Sequence, residues 1–177
     1  MKSKLFYLTI LFVFITINSF TQTTYTVTST SVGPSSTSGT FLWAVDQANT
    51  NPGADIIQFT AGLQVNAGGT TVSIQNNTMA EITEAVTIDG NGGVLNGFQF
   101  WVGQGGILNS LSDCPGNVSG TIQTNFMPNF VKIGLNGQDN SAINVSIKNL
   151  TIKQFNAIAT INKNASLILD NFTANET

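Results

Sequence analysis

Histidine and arginine are both absent from this chain, and only 8% of its residues are charged. Without histidine, neither a serine–histidine catalytic pair nor a histidine-ligated metal site can form. Six lysines stand against nine acidic residues, which gives a net charge of −3. Because an acidic surface without arginine repels phosphate backbones, we expect no nucleic-acid partner.

Cysteine is almost absent too. Cys114 is the single thiol, so no disulfide can form within the chain. It lies in the turn-like string Asp113–Gly116, and three interpretations stay open for it: a partner on another chain, a partner in a part of the sequence that is missing here, or an unpaired thiol in a turn. Low charge does not indicate disorder here, because 41% of the residues are hydrophobic and β-branched residues are common.

Long apolar runs are confined to the first residues. A lysine-containing start is followed by the run Leu5–Ile17, which is shorter than the roughly 20 residues that a spanning helix needs. Ser19 and Thr21 are the small residues expected before a signal-peptidase cut at Gln22. We therefore predict a signal peptide over residues 1–21, a secreted or cell-surface location, and no membrane span in the mature chain.

Two stretches near the end of the chain match each other at a spacing of 22 residues. The matching positions are Val145, Ile147, Asn149, Leu150, Thr151 and Ile152 in the first copy, and Leu167, Leu169, Asn171, Phe172, Thr173 and Ala174 in the second. Alternating apolar residues, an Asn and further apolar residues are typical of a strand, a tight corner and a second strand. The repeat predicts an all-β fold, a parallel β-helix over residues 22–177, with a β-sandwich as the alternative.

The asparagines of this repeat predict a structural role. Asn149 and Asn171 should stack at a coil corner and bond backbone groups that the turn leaves unpaired.

The spacing of the apolar residues changes from strand-like to helical in one segment, which predicts one helix. From Phe41 onward the apolar residues follow helical spacing, with Thr40 as N-cap and the string Asn49–Gly53 as the stop. The range 101–130 shows no coil-length repeat and is predicted to be an irregular excursion. The alternating pattern of a strand is expected to return at Val131, Ile133 and Leu135. We align these residues with Ile158, Thr160 and Asn162.

The strings Gly39–Asn49 and Asn51–Phe59 resemble the N-terminal module of large bacterial surface proteins built as right-handed parallel β-helices. The strings Ile82–Gly90 and Val145–Ile152 are similar to the coils that follow in that family. One residue departs from the family pattern, because Leu42 stands where Arg is usual.

The resemblance implies that residues 24–60 form an N-terminal cap. Its helix would cover the first coil with apolar side chains and turn Asp46 and Gln47 to water. The covering side chains are Phe41, Leu42, Val45 and Ala48. No second cap is visible before Thr177, which leaves open a chain truncated at its C-terminus and predicts end-to-end self-association.

Few residues are candidates for chemistry. The 22-residue repeat places Asp170 beside Lys148 on adjacent coils, which predicts a solvated ion pair. The string Asp89–Gly93 has calcium-loop oxygens but lacks the repeated acidic positions, so we interpret it as a turn. No catalytic, cofactor-binding or metal-binding residues are predicted.

Two functional hypotheses follow. The first is a non-catalytic β-helix module, a structural or adhesive surface scaffold whose ligands are glycans or other cell-surface molecules. The second is the cap-proximal part of a carbohydrate-active β-helix enzyme of the polysaccharide lyase or hydrolase kind. An exposed face of Thr, Asn and Ser would favour the first, and a face lined with carboxylates would favour the second.

Overall fold

The structure, a computed structural model, describes residues 21–67, 78–97, 99–103, 106–108 and 123–175. The predicted signal segment, apart from Thr21, and Cys114 lie outside these residues. One helix and twelve strands are present in the described part: β1 Thr24–Val27, α1 Phe41–Thr50, β2 Asp55–Phe59, β3 Gln64–Asn66, β4 Ala80–Ile82, β5 Val86–Asn96, β6 Gln99–Gly103, β7 Gly106–Leu108, β8 Gln123–Ile133, β9 Asn144–Lys153, β10 Phe155–Ile161, β11 Ser166–Asp170 and β12 Thr173–Asn175.

The larger sheet is parallel throughout. Its strands follow the order β1, β2, β5, β9, β11, with β3 also paired to β5 and β12 to β9. Strands β5 and β9 are long and bend midway, so each pairs with two short strands on one side. The chain is therefore mostly β and its larger sheet is parallel, as predicted, whereas the antiparallel β-sandwich does not have this pairing.

The pairing of β9 with β11 and β12 joins residues 22 apart. Val145 lies opposite Leu167, Ile147 opposite Leu169, and Thr151 opposite Thr173. Because successive side chains point to opposite faces, a shift of one residue would turn Leu167 and Leu169 outward and Ile168 inward.

The smaller sheet follows the order β10, β8, β6, β7, with β4 also paired to β8. Strands β4 and β10 are parallel to β8, whereas β6 is antiparallel to β7 and to the first part of β8. Strand β8 thus begins at Gln123, inside the range 101–130 that the sequence predicted to be irregular. Residues 109–122 of that range lie outside the described residues.

The alignment of β8 with β10 needs a correction. Val131 pairs with Ala159 and Ile133 with Ile161, one residue beyond the predicted partners Ile158 and Thr160. The loop at residues 134–143 causes the difference. It folds around the buried side chain of Asn140, which bonds to backbone groups at Leu135, Gln138 and Lys163.

Side chains from both sheets and α1 share one hydrophobic core. Phe41 of α1 packs against Phe59 and Phe130, with ring centroids 5.8 and 5.7 Å apart, and Phe130 packs against Phe155 at 5.6 Å. Each fully buried phenylalanine contributes about 1.5–3 kcal/mol of hydrophobic stabilisation. These rings therefore fix α1 to both sheets.

The predicted start of α1 is confirmed. Thr40 has extended backbone angles, and its hydroxyl oxygen accepts a hydrogen bond of 3.2 Å from the Trp43 backbone N–H. Within the described part of the chain, no helix has the length and apolar character needed to cross a bilayer.

Candidate functional site

The outward face of the larger sheet carries the polar side chains that the repeat brings together. Along each strand, residues alternate between the core and this face. We use "row" for a set of residues that pair across neighbouring strands. Before the bend, one row contains Thr26, Gln58, Asp89, Lys148 and Asp170.

Two more rows lie after the bend. The first contains Gln64, Val94, Thr151 and Thr173, and the second contains Asn66, Asn96, Lys153 and Asn175. The side-chain amide of Asn96 donates a hydrogen bond of 2.9 Å to Asn66 Oδ1. Hydroxyl and amide groups thus make up most of both rows, and neither contains a carboxylate.

Lys148 is central to the charged row. Its Nζ lies 3.3 Å from Asp89 Oδ2, and its backbone pairs with that of Asp170 on the other side. Asp170 therefore lies next to Lys148 as the repeat predicted, but the ion pair within 4 Å is the one with Asp89. The sequence prediction missed Asp89 because the chain visits β6, β7 and β8 between β5 and β9. Val86–Asp89 and Val145–Lys148 share the same alternation of apolar and polar residues. This alternation was the signal that could have identified Asp89 as the partner of Lys148.

The carboxyl of Asp89 is held in its ionised form. Partial burial raises its pKa, but three partners together outweigh that effect and hold the pKa below its ordinary value. These partners are the Asn149 side-chain amide, the Asn91 backbone N–H, and the Lys148 ammonium through both a hydrogen bond and its charge. An anchored carboxylate of this kind is a poor proton donor near neutral pH.

Left-handed asparagines mark the bend of the larger sheet. Asn91, Asn149 and Asn171 have φ angles of 48°, 52° and 46°. Asn171 donates a hydrogen bond of 2.8 Å to Asn149 Oδ1, and Asn149 donates one of 3.1 Å to Asp89 Oδ1. Asn tolerates this conformation better than most residues. Asn149 and Asn171 therefore bond side chain to side chain at this corner, and their predicted bonds to backbone groups stay a prediction.

The string Asp89–Gly93 is a bulge within β5. The pairing of β5 with β9 shifts between Asp89 and Gly93, where three residues of β5 face the single residue Asn149. A Cβ on Gly90 would lie 2.6 Å from the backbone oxygen of Asn149, so only glycine fits there. In the described ranges, no group of three or more His, Cys, Asp or Glu side chains could hold a metal ion.

The helix end of the molecule is built around the residues that the cap prediction named. Phe41, Val45 and Ala48 are buried and Leu42 is half-buried against the core, while Asp46 is exposed and Gln47 is half-buried. Helix α1 packs on β1, β2 and β4.

Three polar residues at this end have more contacts than the sequence predicted. Asn49 and Asn51 were expected only to end the helix, and Asp55 only to precede the next strand. Asn49 donates to the Glu81 carbonyl at 2.8 Å and accepts from the Thr83 N–H at 2.8 Å, so its amide bonds to the backbone of β4 as a strand would. Asn51 donates to the buried Asp55 carboxylate, which also accepts the Thr23 N–H at 2.8 Å. The string after the helix thus joins α1 to β1, β2 and β4.

No family model matches this sequence, and neither the curated proteins nor the solved structures contain a match. The resemblance to bacterial β-helix surface proteins therefore stays a prediction.

Proposed function

We propose that this chain is an exported, non-catalytic scaffold that serves as a structural or adhesive module at the cell surface. In this proposal its parallel sheets are the walls of a right-handed β-helix, and α1 caps the first coil. The in-register pairing of β9 with β11 and β12, and the hydrogen bonds of Asn49 to β4, support this architecture.

The composition of the outward face carries the functional part of the proposal. The rows described above consist mainly of Thr, Asn and Gln, and carboxylates occur in them only at Asp89 and Asp170. Lys148 lies between these two carboxylates. Hydroxyl and amide groups both donate and accept hydrogen bonds, which suits neutral hydroxyl-rich ligands such as glycans.

The charged row that contains Asp89 and Lys148 argues against the hydrolase alternative. Glycoside hydrolysis needs one carboxyl that is protonated at working pH and a second that acts as base or nucleophile. Asp89 is ionised and engaged by Lys148 and Asn149, so it supplies no such acid.

Purified protein incubated with pectin, cellulose and chitin, with and without Ca²⁺, tests the proposal. We expect retention on one or more of the insoluble polysaccharides without release of unsaturated products or new reducing ends. Product release that Asp170→Ala abolishes and Asp46→Ala leaves intact would establish the enzyme instead. Asp46 is the matched control because its carboxylate is exposed on α1, on another element of the fold.

A further inference from the structure

Strand β11 is an open edge of the larger sheet. It pairs with β9 on one side, and no described strand lies on the other. Ile168 is 61% exposed and Leu169 41%, whereas Ile147, the partner of Leu169 on β9, is completely buried. Ile161, at the end of β10, is 48% exposed. This end of the fold presents unpaired backbone groups beside apolar side chains.

Helix α1 lies over the opposite end of the sheets. Helix α1 packs on β1, β2 and β4, and the Asn49 amide takes up the backbone groups of Glu81 and Thr83. A second copy therefore cannot pair with the edge of β4 at Glu81 and Thr83 as a strand would. Head-to-tail stacking would build an open fibre, whereas contact between two β11 edges closes on itself around a two-fold axis.

We propose that two copies of this chain associate tail to tail, by antiparallel pairing of β11 with β11 around a two-fold axis at Ile168. The sequence Ser166-Leu167-Ile168-Leu169-Asp170 is complementary to itself in this register. Ile168 faces Ile168 of the second copy, and Leu167 faces Leu169. Ser166 faces Asp170, so a hydroxyl donor meets a carboxylate and no like charges are opposed.

Neighbouring registers lose this complementarity. Centring the pair on Leu167 would place Ser166 opposite Ile168, and centring it on Leu169 would place Ile168 opposite the charged Asp170. The two-fold axis at Ile168 also keeps Leu167 and Leu169 of both copies on the core side, because opposed residues of an antiparallel pair point to the same face.

The experiment is sedimentation of the chain that starts at Gln22, over about 1–200 µM. We expect the mass to rise to twice that of the monomer and to stop there, because a two-fold contact is closed. Ile168→Lys should weaken the dimer at least about tenfold, since two ammonium groups would then face each other. Leu135→Lys is the matched control, because it removes an exposed apolar side chain from the loop after β8 and should leave the dimer intact.

A mixing experiment tests the register. Ile168→Lys and Ile168→Glu should each be largely monomeric alone, with unchanged far-UV circular dichroism, and should form a heterodimer when combined. A wild-type chain that stays monomeric throughout, a mass that keeps rising beyond the dimer, or a mixture that stays monomeric would each overturn the proposal. None of these results bears on export or polysaccharide binding, so this inference and the proposed scaffold function fail separately.

Discussion

At the scale of single residues, asparagine performs three different tasks in this fold. Asn149 and Asn171 adopt left-handed backbone angles at the bend and bond to each other. Asn140 fills a loop with hydrogen bonds to three backbone carbonyls and the Leu135 N–H. Asn49 bonds to the backbone of β4. A small amide can replace a peptide group in each place because it carries both a donor and an acceptor.

Asp89 gives the fold a defined response to acid. Because its pKa is below the ordinary value in the folded chain, its ionised form stabilises the fold above the unfolded pKa of about 3.9. That contribution is lost as the pH falls through the lower folded pKa. We expect Asp89→Asn to be less stable than wild type by about 1 kcal/mol near pH 7, and the difference to shrink as the pH falls below the unfolded pKa and through the lower folded one.

Urea unfolding of both proteins between about pH 2.5 and 7 measures this difference. Asparagine has the same shape and keeps an acceptor for Asn149 and for the Asn91 N–H, so the comparison isolates the interaction of the carboxylate with Lys148. A difference that stays constant with pH, or grows on acidification, would contradict the assignment.

At the scale of elements, α1 serves as an end piece for the sheets. We predict that Asn49→Ala lowers the free energy of unfolding by about 1–3 kcal/mol, because Glu81 and Thr83 lose their partners at the edge of β4. Thr50→Ala is the control. Thr50 is exposed, bonds only within α1 among the described contacts, and should cost no more than about 0.5 kcal/mol. Equal effects in urea unfolding would show that the Asn49 amide has no special role.

The sequence predicted those elements whose pattern is local. Thr40 begins the helix as expected, and β9 pairs with β11 at 22 residues because both copies have similarly short corners. The pairing of β8 with β10 was misplaced by one residue because the alternation of apolar residues does not fix the exact length of the loop around Asn140, which covers residues 134–143 against 162–165 after β10. The Asp89 ion pair was missed because it joins strands separated by β6, β7 and β8, and loop lengths of that size leave no fixed period.

At the scale of the whole molecule, the described residues place every buried side chain of the core between positions 27 and 155. We predict that the exported protein begins at Gln22, since Ser19 and Thr21 are the small residues that signal peptidase selects. Intact-mass analysis of protein recovered from the culture medium checks this start, with Thr21→Arg as the variant expected to block the cut. Secreted wild-type protein that retains residues 1–21 would contradict it.

The adjacency of β5 and β9 also determines where this chain can change in length. The two strands pair along both of their halves, although β6, β7 and β8 lie between them in sequence. The entropy cost of closing such a loop grows only logarithmically, by about 0.6 kcal/mol for each doubling of its length. The intervening stretch can therefore lengthen greatly at little thermodynamic cost, whereas a single inserted residue within β9 would move its apolar side chains out of register. Evolutionary variation in size is expected to accumulate between these two strands and to leave their ladder unchanged.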